Sequence, residues 1–214
     1  LSPANPGALV SRKYIKLGFA SEKVNKKNYA EAEAFYDEIL ADFPNDKETL
    51  MNKANMYLIT KDIAKGKAVY NLLAIENPVL AMNGLSLLEH IDGKEKNALT
   101  IATASVEKSV SLTDETLKNQ TQERFVQALI WNKKYKEAGI KIDELTVLHP
   151  NENWVLSLAA TLAIYKSNFP ESISNYENIL KNDSKSFDGN LGIANAYYAS
   201  GEISKAYQAA VTTL

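Results

Sequence analysis

The segment NYAEAEAFYDEILADFPND (28–46) sets the pattern of the chain. Small residues fall at Ala30, Ala32 and Ala34, a ring follows at Tyr36, and Pro44 stops the run. This reads as a helix with a small-residue end, a bulky middle and a proline stop, since proline cannot continue a helix. WVLSLAATLAIY (154–165) is the most apolar stretch. Ser157 and Thr161 interrupt it, and it falls short of the ~18 apolar residues of a membrane span, so it reads as a buried helix.

The pattern recurs. Shifted by 34 positions, Pro44 falls on Pro78, Tyr36 on Tyr70, Ile39 on Leu73 and Ala20 on Ala54. The same spacing relates Tyr135, Phe169 and Ile203; Ala138, Ser172 and Ala206; Val126, Ala160 and Ala194; and Leu129, Ala163 and Tyr197. A period of this length means stacked supersecondary units. Each unit is expected to hold two antiparallel helices, A and B. Small residues let their backbones approach, and rings fill the wedge between one pair and the next. A Gly, Asn or Asp is expected to turn the chain between A and B, as in NKKN (25–28) and SGE (200–202). No single pair can bury its own apolar face, so the stack is the folding unit.

In the unit 47–80, Ala54 is eighth, Tyr57 eleventh, Tyr70 twenty-fourth and Pro78 thirty-second; in NLGIANAYYASGEISKAYQAA (190–210), Ala194, Tyr197, Gly201 and Ala206 take the eighth, eleventh, fifteenth and twentieth places. YIKLG (14–18) supplies an aromatic-x-x-Leu-Gly opening. This pattern resembles the tetratricopeptide repeat over residues 13–214. The resemblance implies an all-α, right-handed α-solenoid of about six stacked antiparallel helix pairs.

The expected units are 12–46, 47–80, 81–118, 119–152, 153–186 and a truncated 187–214, after a linker or processed N-terminus over 1–11. The third is degenerate: Pro78 and Pro150 stand four residues further apart than two periods. The surplus is expected around SLTDETLKN (111–119), with Thr113 or Asp114 capping the next helix and a local change of superhelical pitch. Ala206, Ala209, Ala210, Val211 and Leu214 form an apolar stripe, where a solenoid end normally carries a polar cap. The C-terminal end is therefore expected to continue into, or pack on, another segment.

Composition is that of a globular chain: 214 residues, 45% hydrophobic, 23% charged, with a formal net charge of −2 that predicts no attraction to nucleic acid or anionic lipid. The absence of cysteine excludes disulfides, thiolate metal sites and a cysteine nucleophile, and is compatible with an oxidising compartment. Lysine far outnumbers arginine and Asn is abundant, a bias of AT-rich bacterial genomes. Together these favour a bacterial periplasmic or envelope location over a cytoplasmic one.

Neither His90 nor His149 has a metal-ligand spacing partner. IAKGKAVY (63–70) lacks the rest of a P-loop, and Gly66 fits a small packing position of helix B. The carboxylates of AEAEAFYDE (30–38) read as a solvated face. With no nucleophile elbow and no dinucleotide fingerprint, the expectation is no catalytic residue, no cofactor and no metal.

The resemblance places a binding groove on the stacked A helices. Its groove-facing positions correspond to Met51, Asn55, Leu58 and Ile59; to Glu123, Gln127, Ile130 and Trp131; to Trp154, Ser157, Thr161, Ile164 and Tyr165; and to Asp188, Leu191, Asn195 and Tyr198. The best partner-binding candidates are Asn55, Ile59, Gln127, Trp131, Trp154, Thr161, Tyr165, Asn195 and Tyr198. Trp131 and Trp154 lie off the repeat's core positions and are suited to stacking. Asn55 and Asn195 share the ninth position and suit a peptide backbone. Ile130 and Ile164 read first as core. The basic residue with which related co-chaperones grip a terminal carboxylate is replaced by Met51 and Leu191. The groove thus reads as neutral and aromatic, for an apolar peptide, a partner helix or a glycan. The expected function is a non-catalytic protein-interaction scaffold. The alternative is a periplasmic segment of a bacterial envelope or exopolysaccharide-secretion protein, contacting glycan or secretion partners.

Overall fold

A computed structural model describes residues 6–211. The described residues form twelve α-helices and no strand. They fall into six consecutive pairs: α1 (Pro6–Asn25) with α2 (Tyr29–Asp42), α3 (Lys47–Thr60) with α4 (Ile63–Leu73), α5 (Pro78–Ile91) with α6 (Glu95–Ser109), α7 (Glu115–Trp131) with α8 (Tyr135–Leu148), α9 (Asn153–Tyr165) with α10 (Phe169–Asn182), and α11 (Phe187–Ala199) with α12 (Ile203–Val211).

The chain divides into two compact units, Leu1–Leu117 and Lys118–Leu214. In the first, Ala20, Ala32, Tyr36, Ile39, Ala54, Tyr57, Tyr70 and Leu73 belong to one buried apolar cluster. In the second, Ala160, Tyr176, Ile179, Ile193 and Ala196 form the core that joins α9, α10 and α11. Small residues at the repeat positions create the close approaches. A Cβ built on Gly192 would stand 2.1 Å from the ring of Tyr176, and one on Gly84 would stand 2.1 Å from Tyr70. A tyrosine of helix B thus fills the space left by a glycine of the next helix A in each unit.

Residues 6–11, expected as linker, are the first turns of α1, and residues 1–5 lie outside the described residues. Pro78 opens α5, a position where the missing amide N–H costs no hydrogen bond. The surplus after the third pair takes a definite form. α7 has 17 residues, whereas α3 and α5 have 14 and α9 and α11 have 13. The extra residues form an added turn at the start of α7, and Asp114 Oδ1 accepts a hydrogen bond from Leu117 N at 3.0 Å. Of the two expected caps, Asp114 is the one so placed.

The A–B turns use a residue in the left-handed region, but glycine fills it only twice. Gly93 and Gly201 have φ of +72° and +85°. Lys27, Lys61, Lys133 and Ser167 occupy the same place in four other pairs at +59°, +56°, +59° and +58°. The requirement falls on one backbone conformation, which these side chains adopt at some cost. Leu214, the last residue of the expected terminal stripe, lies outside the described residues. Ala206 is buried and Val211 is 48% exposed.

Candidate functional site

The second unit gathers several of the expected groove residues around one cavity. Glu123 from α7, Trp154 and Ser157 from α9, and Asp188 from α11 line a space of about 390 Å³. Glu152 and Asn153 at the start of α9, Ile179 of α10 and Ser186 before α11 complete its wall. Local structure fixes these positions. Ser186 caps α11 by accepting a hydrogen bond from Gly189 N at 3.1 Å, which sets Asp188 in the first turn. Asn182 Nδ2 donates to Asn153 Oδ1 at 2.9 Å and to Asn151 O at 3.1 Å, tying the end of α10 to the start of α9. The His149 ring lies against Trp154, with centroids 5.3 Å apart.

Three carboxylates and no cationic side chain are among the lining residues. Burial pushes the Glu123 carboxyl above the usual carboxylate range. The Arg124 guanidinium opposes the rise, the Asp188 carboxylate adds to it, and a hydrogen bond from Gln127 opposes it. Gln127 Nε2 donates to Glu123 Oε1 at 3.0 Å, while Gln127 Oε1 accepts from Arg124 at 2.8 Å. The Arg124 guanidinium in turn sits 5.7 Å from the Trp131 ring centroid. Gln127 and Trp131 therefore belong to the framework that holds Glu123, with Arg124 as its hub.

The other candidates are placed elsewhere. Thr161 Oγ1 is 3.5 Å from Tyr176 Oη, and Tyr165 is half-exposed with its ring centroid 6.2 Å from that of Tyr135. Asn195 and Tyr198 line a separate, mostly apolar cavity of about 330 Å³ between α11 and α12, together with Leu191, Ile203 and Tyr207. Asn55 and Ile59 are exposed on α3 of the first unit. Ile130 is 1% exposed and Ile164 packs against the core of the second unit. A third cavity of about 270 Å³ joins Asp143 and Thr146 of α8 to Lys166 and to Glu171 and Asn175 of α10. None of its residues was among the groove candidates; Ala159, Leu162 and Ala163 come from α9 and the others from helix-B or turn positions.

His90 Nδ1 lies 2.8 Å from Glu95, an ion pair or hydrogen bond across the α5–α6 turn. Among the described residues no group of three or more His, Cys, Asp or Glu is placed to hold a metal ion, and no helix is long and apolar enough to cross a membrane.

Comparison with known proteins agrees with the architecture. Residues 158–213 match the family model described as tetratricopeptide repeat. No curated protein matches the sequence. Solved structures do. A thermophilic TPR protein of Thermus thermophilus superposes with a TM-score of 0.67 at 15% identity, covering 87% of this chain and 99% of that one. PilW, described as a widely conserved type IV pilus biogenesis factor, gives 0.63 at 13% identity, covering 96% and 91%. Yeast Tom70 gives 0.62 at 17% identity, covering 94% of this chain and 42% of its own. At such identities the likeness concerns the fold. The 34-residue period, the six helix pairs among the described residues, the match over 158–213 and these shared folds together give the chain the fold of tetratricopeptide repeat proteins.

Proposed function

We propose that the chain is a non-catalytic interaction module that holds a segment of a partner protein at the Trp154 cavity of its second unit. The observation that carries this reading is convergence. Side chains from four helices and the adjoining turns meet around about 390 Å³, a size suited to one or two partner side chains. An aromatic wall and several hydrogen-bond acceptors supply both contact area and orientation. Neither Ser157 nor Ser186 is hydrogen-bonded to a carboxylate of the lining, so the arrangement favours binding over chemistry.

Aromatic rings and carboxylates also suit sugars, and the glycan-contacting envelope role is the second reading; Trp154 beside Ser157, Asn153 and Glu152 is the observation that favours it. The experiment is a selection of displayed random peptides on the purified chain, followed by calorimetric titration of the enriched peptides against wild type and Trp154→Ala. The expected result is enrichment, with affinity reduced about tenfold or more by the substitution, as for a central aromatic anchor. Absence of enrichment, or equal affinity for both proteins, contradicts the proposal. Quenching of tryptophan fluorescence by neutral oligosaccharides, without peptide binding, favours the glycan reading.

A further inference from the structure

We infer that the Trp154 cavity recognises a cationic side chain, lysine or arginine, of the bound partner. This rests on the groove reading above and names the chemistry of its anchor. The sequence suggested a neutral, aromatic groove; the geometry places the indole of Trp154 in one wall with the carboxylates of Glu123, Glu152 and Asp188 around the same space.

Each component acts on a cation in a different way. An indole face attracts ammonium and guanidinium groups through its quadrupole, more strongly than the other aromatic side chains do. Carboxylates accept charge-assisted hydrogen bonds from the same groups. An apolar or anionic side chain would leave these acceptors unsolvated on occupying the cavity, which penalises it. Ile179 contributes an apolar floor suited to the methylene stem of lysine or arginine. The cavity also removes a conflict built into the protein. Glu123 is held in a partly buried place next to the like charge of Asp188, and its own bridge through Gln127 engages it from the α7 side only. A cation in the cavity adds a second countercharge to that of Arg124. The other side chains nearby are Arg124, which donates to Gln127 and lies near Trp131, and His149, whose ring lies against Trp154.

The test uses a peptide from the selection whose binding depends on Trp154. Its lysine or arginine is replaced by norleucine, and both peptides are titrated calorimetrically against wild type and against Glu123→Gln/Asp188→Asn, with circular dichroism to verify folding. The norleucine peptide is expected to bind wild type about tenfold or more weakly. The loss is expected to shrink to about twofold in the double variant, because the partner charges are gone. Binding of the cationic peptide to wild type is also expected to weaken with added salt. Trp154-dependent peptides that lack lysine and arginine, or an equal norleucine loss in both proteins, overturn the cation anchor and leave the groove standing. Peptides indifferent to Trp154 overturn the groove itself. If the double variant does not fold, the norleucine comparison on wild type still decides: no loss overturns the inference.

Discussion

Single residues carry two kinds of information, and the chain separates them. Small residues at the eighth and twentieth repeat positions are core: Ala54, Ala138, Ala160 and Ser172 are fully buried. Ser172 stands in register with Ala138 and Ala206, yet its buried Oγ has no hydrogen-bond partner. Removing an unsatisfied buried hydroxyl recovers desolvation free energy, so Ser172→Ala is expected to stabilise the protein by ~1 kcal/mol, read from chemical denaturation. Glu123 shows the other kind. Its carboxyl is raised above the usual range in the folded state, chiefly by burial. The folded chain therefore binds this proton more tightly than the unfolded one. Stability from this group falls as pH rises from the unfolded value through the folded value. Glu123→Gln keeps an acceptor for Gln127 and removes the charge, so it is expected to raise Tm at pH 7 with no gain near pH 4. Equal gains at both pH values would contradict that account. Glu123 and Asp188 were each expected from the sequence at a groove-facing position. Their meeting in one acidic cavity was not, since Glu152 and Ser186 enter from turns and Ile179 from a helix B.

Helix pairs are the scale at which the sequence was most readable. Periodicity pointed to six helix pairs, because alanine and tyrosine recur where backbones approach and wedges need filling. Two features escaped it. The surplus residues became an added turn of α7, which a count of residues alone cannot distinguish from a longer loop. The A–B turns placed Lys27, Lys61, Lys133 and Ser167 in the left-handed position where a Gly, Asn or Asp was expected, because the stack enforces that conformation whatever residue is present. Close packing between pairs makes a sharp prediction. A Cβ on Gly192 meets the Tyr176 ring, which is 6% exposed and has little room to move. Gly192→Ala is expected to destabilise by about 1–3 kcal/mol, and adding Tyr176→Leu is expected to recover part of that loss. Additive effects in the double variant would mean that the two residues do not compete for the same space.

At the scale of the whole molecule, repeat proteins sum local stabilities instead of depending on one global core. The chain follows that logic in its two compact units, with the boundary at Leu117/Lys118 close to the surplus that breaks the 34-residue register. All residues lining the Trp154 cavity belong to the second unit. The fragment 118–214 is therefore expected to keep a helical circular dichroism spectrum and to bind the selected peptides. A fragment that is helical but binds nothing would place the recognition surface elsewhere. What the sequence could not give is the partner itself, because a repeat pattern encodes how helices stack, and the exposed face carries no periodic constraint.

The most direct measurement follows the two indole N–H resonances of the ¹⁵N-labelled chain while a lysine-bearing selected peptide is added. Trp154 lines the cavity, whereas Trp131 belongs to the Arg124 framework outside its lining. The account predicts a saturable shift of the Trp154 indole, larger than that of Trp131, with a norleucine peptide producing little change. Saturable binding that leaves Trp154 unmoved would contradict it.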